Sequence, residues 1–251
     1  PKVLWLARHE PENWRRTRAV LLPHDYVNFR LTGAKTMEAG DASGTGFFDP
    51  VARRFDAAAV AATAVDLDAK LPPLLAPGTP AGRLQPAVAR QLGLPAEIPV
   101  AAGGGDNMMS ALGSGAARPG VAVISLGTSG TVFACSERPV IDPDGEIAAF
   151  CDSTGAWLPL LCVMNMTGVT EEVRAAFAAT HDLETLTREA AAVPAGAEGL
   201  LWLPYLQGER VPDLPHATGV VAGLRPGGLR PGRLFRAALE GTSLSLARGV
   251  G

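Results

Sequence analysis

Cysteine, long apolar runs and clustered basic charge are all scarce in this chain of 251 residues, and each scarcity removes a class of function. Cys135, Cys151 and Cys162 form no C-x-x-C pair and have no histidine close by, and an odd number suits a disulfide scaffold poorly. They are expected to be reduced, partly buried thiols. No apolar stretch nears the roughly 20 residues of a membrane span, and Pro1-Lys2 opens no basic segment with an apolar sequel. A soluble, cytoplasmic protein is expected, and Pro1, standing without an initiator Met, reads as a position that is not a natural start. The net charge of −3 leaves little for a nucleic-acid backbone to bind, and Arg15-Arg16-Thr17-Arg18 and the arginines from Arg225 to Arg236 read as solvated faces. The four histidines, His9, His24, His181 and His216, are scattered, so no metal-ligating residue is assigned.

What is present describes a globular protein. With 47% hydrophobic and 19% charged residues the chain can bury a sizeable core, and 29 Gly with 21 Pro predict many turns. Its length allows two modest domains or one large one. A helix is expected from Glu12 to Leu22, closed by Pro23, followed by a mixed segment and a turn-rich loop from Gly40 to Gly46. Pro86 and Gly93 bracket a short helix, and Ile98 to Ala102 is a short strand. Two β-rich runs, Val121 to Leu126 and Thr131 to Ala134, flank Gly127-Thr128-Ser129-Gly130 as a hairpin. Further on, a strand at Trp157 to Met164, helices at Thr170 to Ala179 and Leu183 to Val193, a strand at Leu200 to Leu203 and a last helix from Pro231 to about Arg248 complete an α/β alternation without repeats. The Gly, Ala and Pro-bearing stretch from Gly113 to Gly120 is the best hinge, which divides the chain into 1–116 and 117–251.

Three constellations could carry chemistry. Gly103-Gly104-Gly105-Asp106-Asn107 follows a strand, and glycines without Cβ let a ligand approach the main chain closely. A carboxylate there can take a proton from a substrate hydroxyl while the neighbouring amide holds the substrate; equally, Asp106 could do no more than cap a helix in a tight turn. The order of strand, glycines and Asp places Asp106 at a helix start, at the floor of a cleft and free of a salt bridge. Ser125-Leu126-Gly127-Thr128-Ser129-Gly130 offers N–H groups and hydroxyls suited to phosphate oxygens, and also reads as a plain turn; it is neither a Walker A loop nor a G-x-G-x-x-G motif. Glu209 and Arg210, after the run Leu203 to Gly208, could position a loop or be solvated, and as strand neighbours they are not expected to pair with each other.

In this order and spacing the three segments resemble the FGGY carbohydrate kinases, closest to the xylulokinase branch, over nearly the whole chain. Lys2 to Pro11 resembles a first family signature, Leu22-Pro23-His24-Asp25-Tyr26 with Leu31-Thr32-Gly33 the segment after it, and Gly40-Asp41-Ala42-Ser43-Gly44-Thr45 the next loop. Gly219 to Leu224 and Ala237 to Gly241 are similar to a second signature, with Arg233 where an acidic or amide residue is more usual. The resemblance implies two RNase H-like α/β domains of the actin and hexokinase type, both incomplete here, with sugar and ATP meeting in the cleft between them. Residues 1–116 then correspond to the second half of the sugar domain and 117–251 to the first half of the nucleotide domain. It implies Asp106 as catalytic base and substrate contact, Asn107 as a sugar contact, and Gly127, Thr128 and Ser129 as a phosphate loop for ATP, with Mg²⁺ as the accompanying ion. The reaction implied is phosphorylation of a ketopentose, D-xylulose to D-xylulose 5-phosphate. Another sugar or polyol, or a ligand-binding module without chemistry, stays open. Partners implied are the sugar and ATP, with no nucleic acid and no membrane; a homodimer stays open. The family's Asp-x-Gly-Thr loop, Met-His pair and Gly-rich adenosine motif are not among these residues, so the chain alone is expected to be inactive, and Val211-Pro212-Asp213 stands where Thr-Pro-His is usual.

Overall fold

The computed structural model describes residues 1–248. The chain divides into two compact units: the first takes 1–121, 134–140 and 149–159, the second 122–133, 141–148 and 160 onward.

The first unit begins with α1 (Lys2–His9), α2 (Pro11–Arg16) and α3 (Pro23–Thr32). Val3, Leu6 and Ala7 recur at helical spacing on α1 and pack against Trp14, Val60 and Leu67. The expected helix from Glu12 to Leu22 starts within one residue of α2 but runs six residues too far. Helix α2 stops at Arg16, where Thr17 turns extended (ψ 126°) and its hydroxyl donates to Asn13 O at 2.8 Å. Pro23 opens a helix instead of closing one. At the first helical position its missing N–H costs nothing, and Leu22 N donates to the Asp25 carboxylate at 3.1 Å. The segment taken as mixed is therefore α3, ended by Gly33 in the left-handed region (φ 81°).

Strand β1 (Met37–Glu38) leads into α4 (Ala39–Ala42) and a 3-10 turn, Ser43–Thr45, so part of the expected loop is helical. Next come the hairpin of β2 (Phe48–Asp49) and β3 (Arg54–Phe55), α5 (Ala57–Ala62), and β4 (Leu74–Leu75), which pairs parallel with β1. Then β5 (Gly82–Arg83), α6 (Pro86–Leu92), β6 (Pro99–Val100) and α7 (Asp106–Gly113) follow, with β5 and β6 antiparallel. Met37, Ala39, Ala42, Phe48 and Cys151 form the core behind β1 and α4, and the Trp157 indole donates to Pro50 O at 2.9 Å.

A four-stranded sheet of β7 (Ala122–Leu126), β8 (Gly130–Ala134), β9 (Ile147–Cys151) and β10 (Trp157–Val163) has the order β7-β8-β10-β9, and the second unit takes 122–126, 130–133, 147–148 and 160–163 of it. Leu160 to Val163 run antiparallel to Phe133 to Gly130. Helices α8 (Thr167–Phe177) and α9 (Leu183–Ala191), the antiparallel pair β11 (Leu201–Leu203) and β12 (Val220–Ala222), and α10 (Pro231–Ala247) complete it. Leu234, Phe235, Ala237 and Ala238 of α10 pack with Val169, Val173, Leu186 and Leu200 into its main core. No helix among the described residues is long and apolar enough to cross a membrane.

Candidate active site

The glycine triplet brings the chain from β6 to the start of α7. Gly103 is left-handed (φ 76°), and a Cβ on Gly104 would lie 2.6 Å from Ser153 Oγ and 2.8 Å from Met109 Cε. On Gly105 it would lie 3.1 Å from Asp41 Oδ1. The close approach that needs these glycines is made by the protein's own side chains. Asp106 is the first residue of α7, with Gly105 as N-cap, so it starts the helix without capping it. It is exposed, its Oδ1 accepts from Asn107 N at 2.8 Å, and it has no salt bridge among the described residues. A carboxylate in a first turn is favoured by the partial positive charge of the helix N-terminus. Within its own unit Asp106 stands on the surface, not on a floor: the small cavity lined by Glu38, Ala102, Gly103 and Ser153 stops short of it. Asn107 is half-buried beside it.

Under this loop lies a network of charges that residue-by-residue reading left without a role. Glu38 is buried, and its carboxylate accepts from Gly40 N at 2.7 Å and Asp41 N at 2.5 Å, capping α4. Burial pushes its pKa up, partly offset by those two N–H groups. His24 Nδ1 is 2.7 Å from Asp41 Oδ2. Its Nε2 is 3.1 Å from Asp25 Oδ1 without an aligned hydrogen bond, so that contact is an ion pair. Asp25, then Asp41, push the His24 pKa up to about 10 against the opposing effect of burial. His24 is thus an imidazolium at neutral pH. Asn28, one turn further along α3, donates to Ala102 O at 2.5 Å. His24, Asp25 and Asp41 appear in the sequence only within segments that resemble the family; the pairing that gives them meaning spans two elements.

The second set of expected residues lies in the second unit. Thr167 N donates to Gly127 O at 3.0 Å, Met166 N to Thr128 O at 3.1 Å, and Gly127 N to Ser129 O at 3.0 Å. Those bonds fasten the β7-β8 tip to the entrance of α8. They leave the N–H groups and hydroxyls of Thr128 and Ser129 exposed and without partners among the described residues, a donor set that fits phosphate oxygens. Gly130 is buried, since a Cβ there would lie 2.7 Å from Met166 Cε. Beneath the β10-α8 junction, Glu209 is 1% exposed and accepts from Met164 N at 2.7 Å, Asn165 Nδ2 at 2.9 Å and Arg210 N at 2.7 Å. Asn165 Nδ2 also donates to Gly208 O at 2.7 Å. Glu209 therefore positions a loop and is not a solvated acid.

The helix-start carboxylate lies on the first unit and the glycine tip on the second. The model of the FGGY family of carbohydrate kinases, N-terminal domain, matches residues 1–113, and that of the C-terminal domain matches 122–251. The chain belongs to the FGGY family of carbohydrate kinases. It is 44% identical over 245 residues to the xylulose kinase of Streptomyces rubiginosus, covering 98% of this chain and 48% of that one. To the xylulose kinase of Haemophilus influenzae it is 38% identical over 251 residues, covering 99% and 50%. The crystal structure of xylulose kinase from Rhodospirillum rubrum superposes with a TM-score of 0.90 at 30% identity, covering 99% of this chain and 50% of that one. The chain spans about half the length of the curated relatives it matches.

Proposed function

We propose that the protein to which this chain belongs transfers the γ-phosphoryl group of ATP to a hydroxyl of D-xylulose, giving D-xylulose 5-phosphate and ADP. The observation that carries the reading is Asp106: an exposed carboxylate, without an ion pair among the described residues, at the first turn of α7 on a loop packed tightly from below. A base so placed accepts the proton of the sugar hydroxyl as its oxygen bonds to the γ-phosphorus and the bond to ADP breaks. Asn107 hydrogen-bonds the sugar and fixes which hydroxyl is presented. Gly127, Thr128 and Ser129 hold phosphate oxygens through the N–H groups and hydroxyls left free at the tip. Mg²⁺ offsets charge on the triphosphate when bound, and an ion carried by ATP oxygens needs few protein ligands. The sugar role falls to residues 1–116 and the nucleotide role to 117–251.

The identity with xylulose kinases supports the ketopentose, while Val211-Pro212-Asp213, unlike the usual Thr-Pro-His, favours testing a second sugar or polyol. In a module that binds sugar without chemistry, Asp106 would accept from a hydroxyl without taking its proton, a difference that Asp106→Asn reads in kcat. In the full-length enzyme, Asp106→Asn keeps the shape and removes the basicity, and kcat should fall by about 10² to 10⁴, with little change in ATP binding. Steady-state kinetics with a panel of ketopentoses, polyols and sugar acids reads both points. A near-normal kcat in the Asn variant would remove Asp106 from the mechanism, and a higher kcat/KM for a polyol would replace the substrate.

A further inference from the structure

We propose that His24 is a positioning residue for the base: bridging Asp25 and Asp41, it holds the Gly103–Asp106 loop in register over α3 and α4. The proposal rests on the reading of Asp106 as base and adds the residues that aim it.

Three points on the loop backbone, Ala102, Gly103 and Gly105, meet this cluster. Ala102 O accepts from Asn28 at 2.5 Å. Gly103 lies against the imidazole, since a Cβ there would be 3.2 Å from His24 Cδ2. Gly105, the residue before the base, lies against Asp41, whose Oδ1 would be 3.1 Å from a Cβ. The other Asp41 oxygen is the one held by His24 at 2.7 Å, so the face that Asp41 turns to Gly105 is set by the imidazole. Two of the three contacts therefore depend on one side chain.

The charges explain why the arrangement is stiff. Asp25 is 2% exposed, and its carboxylate meets the imidazole at 3.1 Å and Leu22 N at 3.1 Å. A buried carboxylate deprived of its cation is strongly disfavoured, so the ring is held from the α3 side as well as from the α4 side. The raised His24 pKa agrees with a ring that keeps its proton in this setting. A base displaced by about 1 Å can lose about 10² in rate, whereas sugar affinity depends less on that one oxygen.

The test is kinetic, in the full-length enzyme. His24→Gln should lower kcat by about ten- to a hundredfold while KM for the sugar changes less than about threefold, and His24→Lys, which returns a cation between the two carboxylates, should restore most of the loss. Hydrogen exchange at amides 103–107 should rise in the Gln variant and return in the Lys variant. An unchanged kcat in His24→Gln, or a loss that His24→Lys does not recover, overturns the proposal. If His24→Gln does not fold, Asp41→Asn cuts the bridge at its more exposed end and should show the same drop in kcat; a normal kcat there also overturns it. A double-mutant cycle separates this proposal from the reading beneath it. On the Asp106→Asn enzyme, His24→Gln should add less than about twofold, because an absent base cannot be mispositioned. If it adds its full factor, His24 acts elsewhere and the proposal fails while the base stands. If Asp106→Asn alone keeps its kcat, the base reading fails, and unchanged exchange at 103–107 would then sink the positioning role as well.

Discussion

His24 makes the stability of the first unit depend on pH in the alkaline range. Its ordinary pKa of 6.5 is raised to about 10 by Asp25 and Asp41, so the folded state holds the proton more tightly than the unfolded chain. The stabilisation is complete below the ordinary value and is lost as pH rises through about 10. Denaturant melts across that window should show stability falling, and His24→Gln should flatten the fall; an identical slope in the variant would place the titration elsewhere. In the second unit the buried side chain to test is Glu209. Glu209→Ala would leave Met164 N and one Asn165 contact without an acceptor at a buried site, and should cost about 1–3 kcal/mol. Melts showing no loss would mean that the junction finds other acceptors. Neither residue announces itself by type. A lone His among four scattered ones and a Glu beside an Arg have ordinary surface explanations until their neighbours across the fold are known.

At the scale of elements, those with strong local punctuation were legible. Pro86 and Gly93 bracket α6 as a first-turn proline and a left-handed stop should, and Gly127 to Gly130 separate β7 from β8. Pro23 was misread because a proline that cannot continue one helix is equally suited to open the next. Only the Asp25 carboxylate on Leu22 N settles the choice. Arg233, unusual for the family signature, is buried in α10 and donates to Ala197 O at 3.0 Å and Glu198 O at 2.9 Å, holding a turn whose residues have positive φ of 46° and 55°. Gly241 gives the sharpest element-scale test. Ala for Gly inside a helix ordinarily gains about 1 kcal/mol. Here the new Cβ would lie 2.1 Å from Trp202 O on β11, a backbone atom that cannot swing aside. Overpacking of this kind outweighs the propensity gain, and Gly241→Ala should lose about 1–3 kcal/mol net. A more stable variant would show that α10 and β11 separate easily.

For the whole molecule, the two family-model matches leave the class in no doubt, while the chain spans about half the length of the curated relatives it matches, and the proposed reaction is expected to need the remainder. The Asp-x-Gly-Thr loop that the resemblance implies is not among these residues, and on the proposed reading one tip alone should hold ATP weakly without aligning its γ-phosphorus. The 251 residues assayed alone should release no xylulose-dependent ADP in a coupled assay, and the full-length enzyme should; robust turnover by the chain alone would show that the loop is dispensable. The sequence by itself determined the α/β class, the strand-glycine-helix setting of Asp106 and the β7-β8 tip, because turns, helix starts and strand runs are demands that neighbouring residues satisfy locally. Only the tertiary structure decided that His24 joins Asp25 to Asp41, 17 positions away, and that Glu209 reaches Met164 across 45. Such contacts form where packing limits water and leaves a charge few partners, and that choice is made by the fold, not by any stretch of chain read alone.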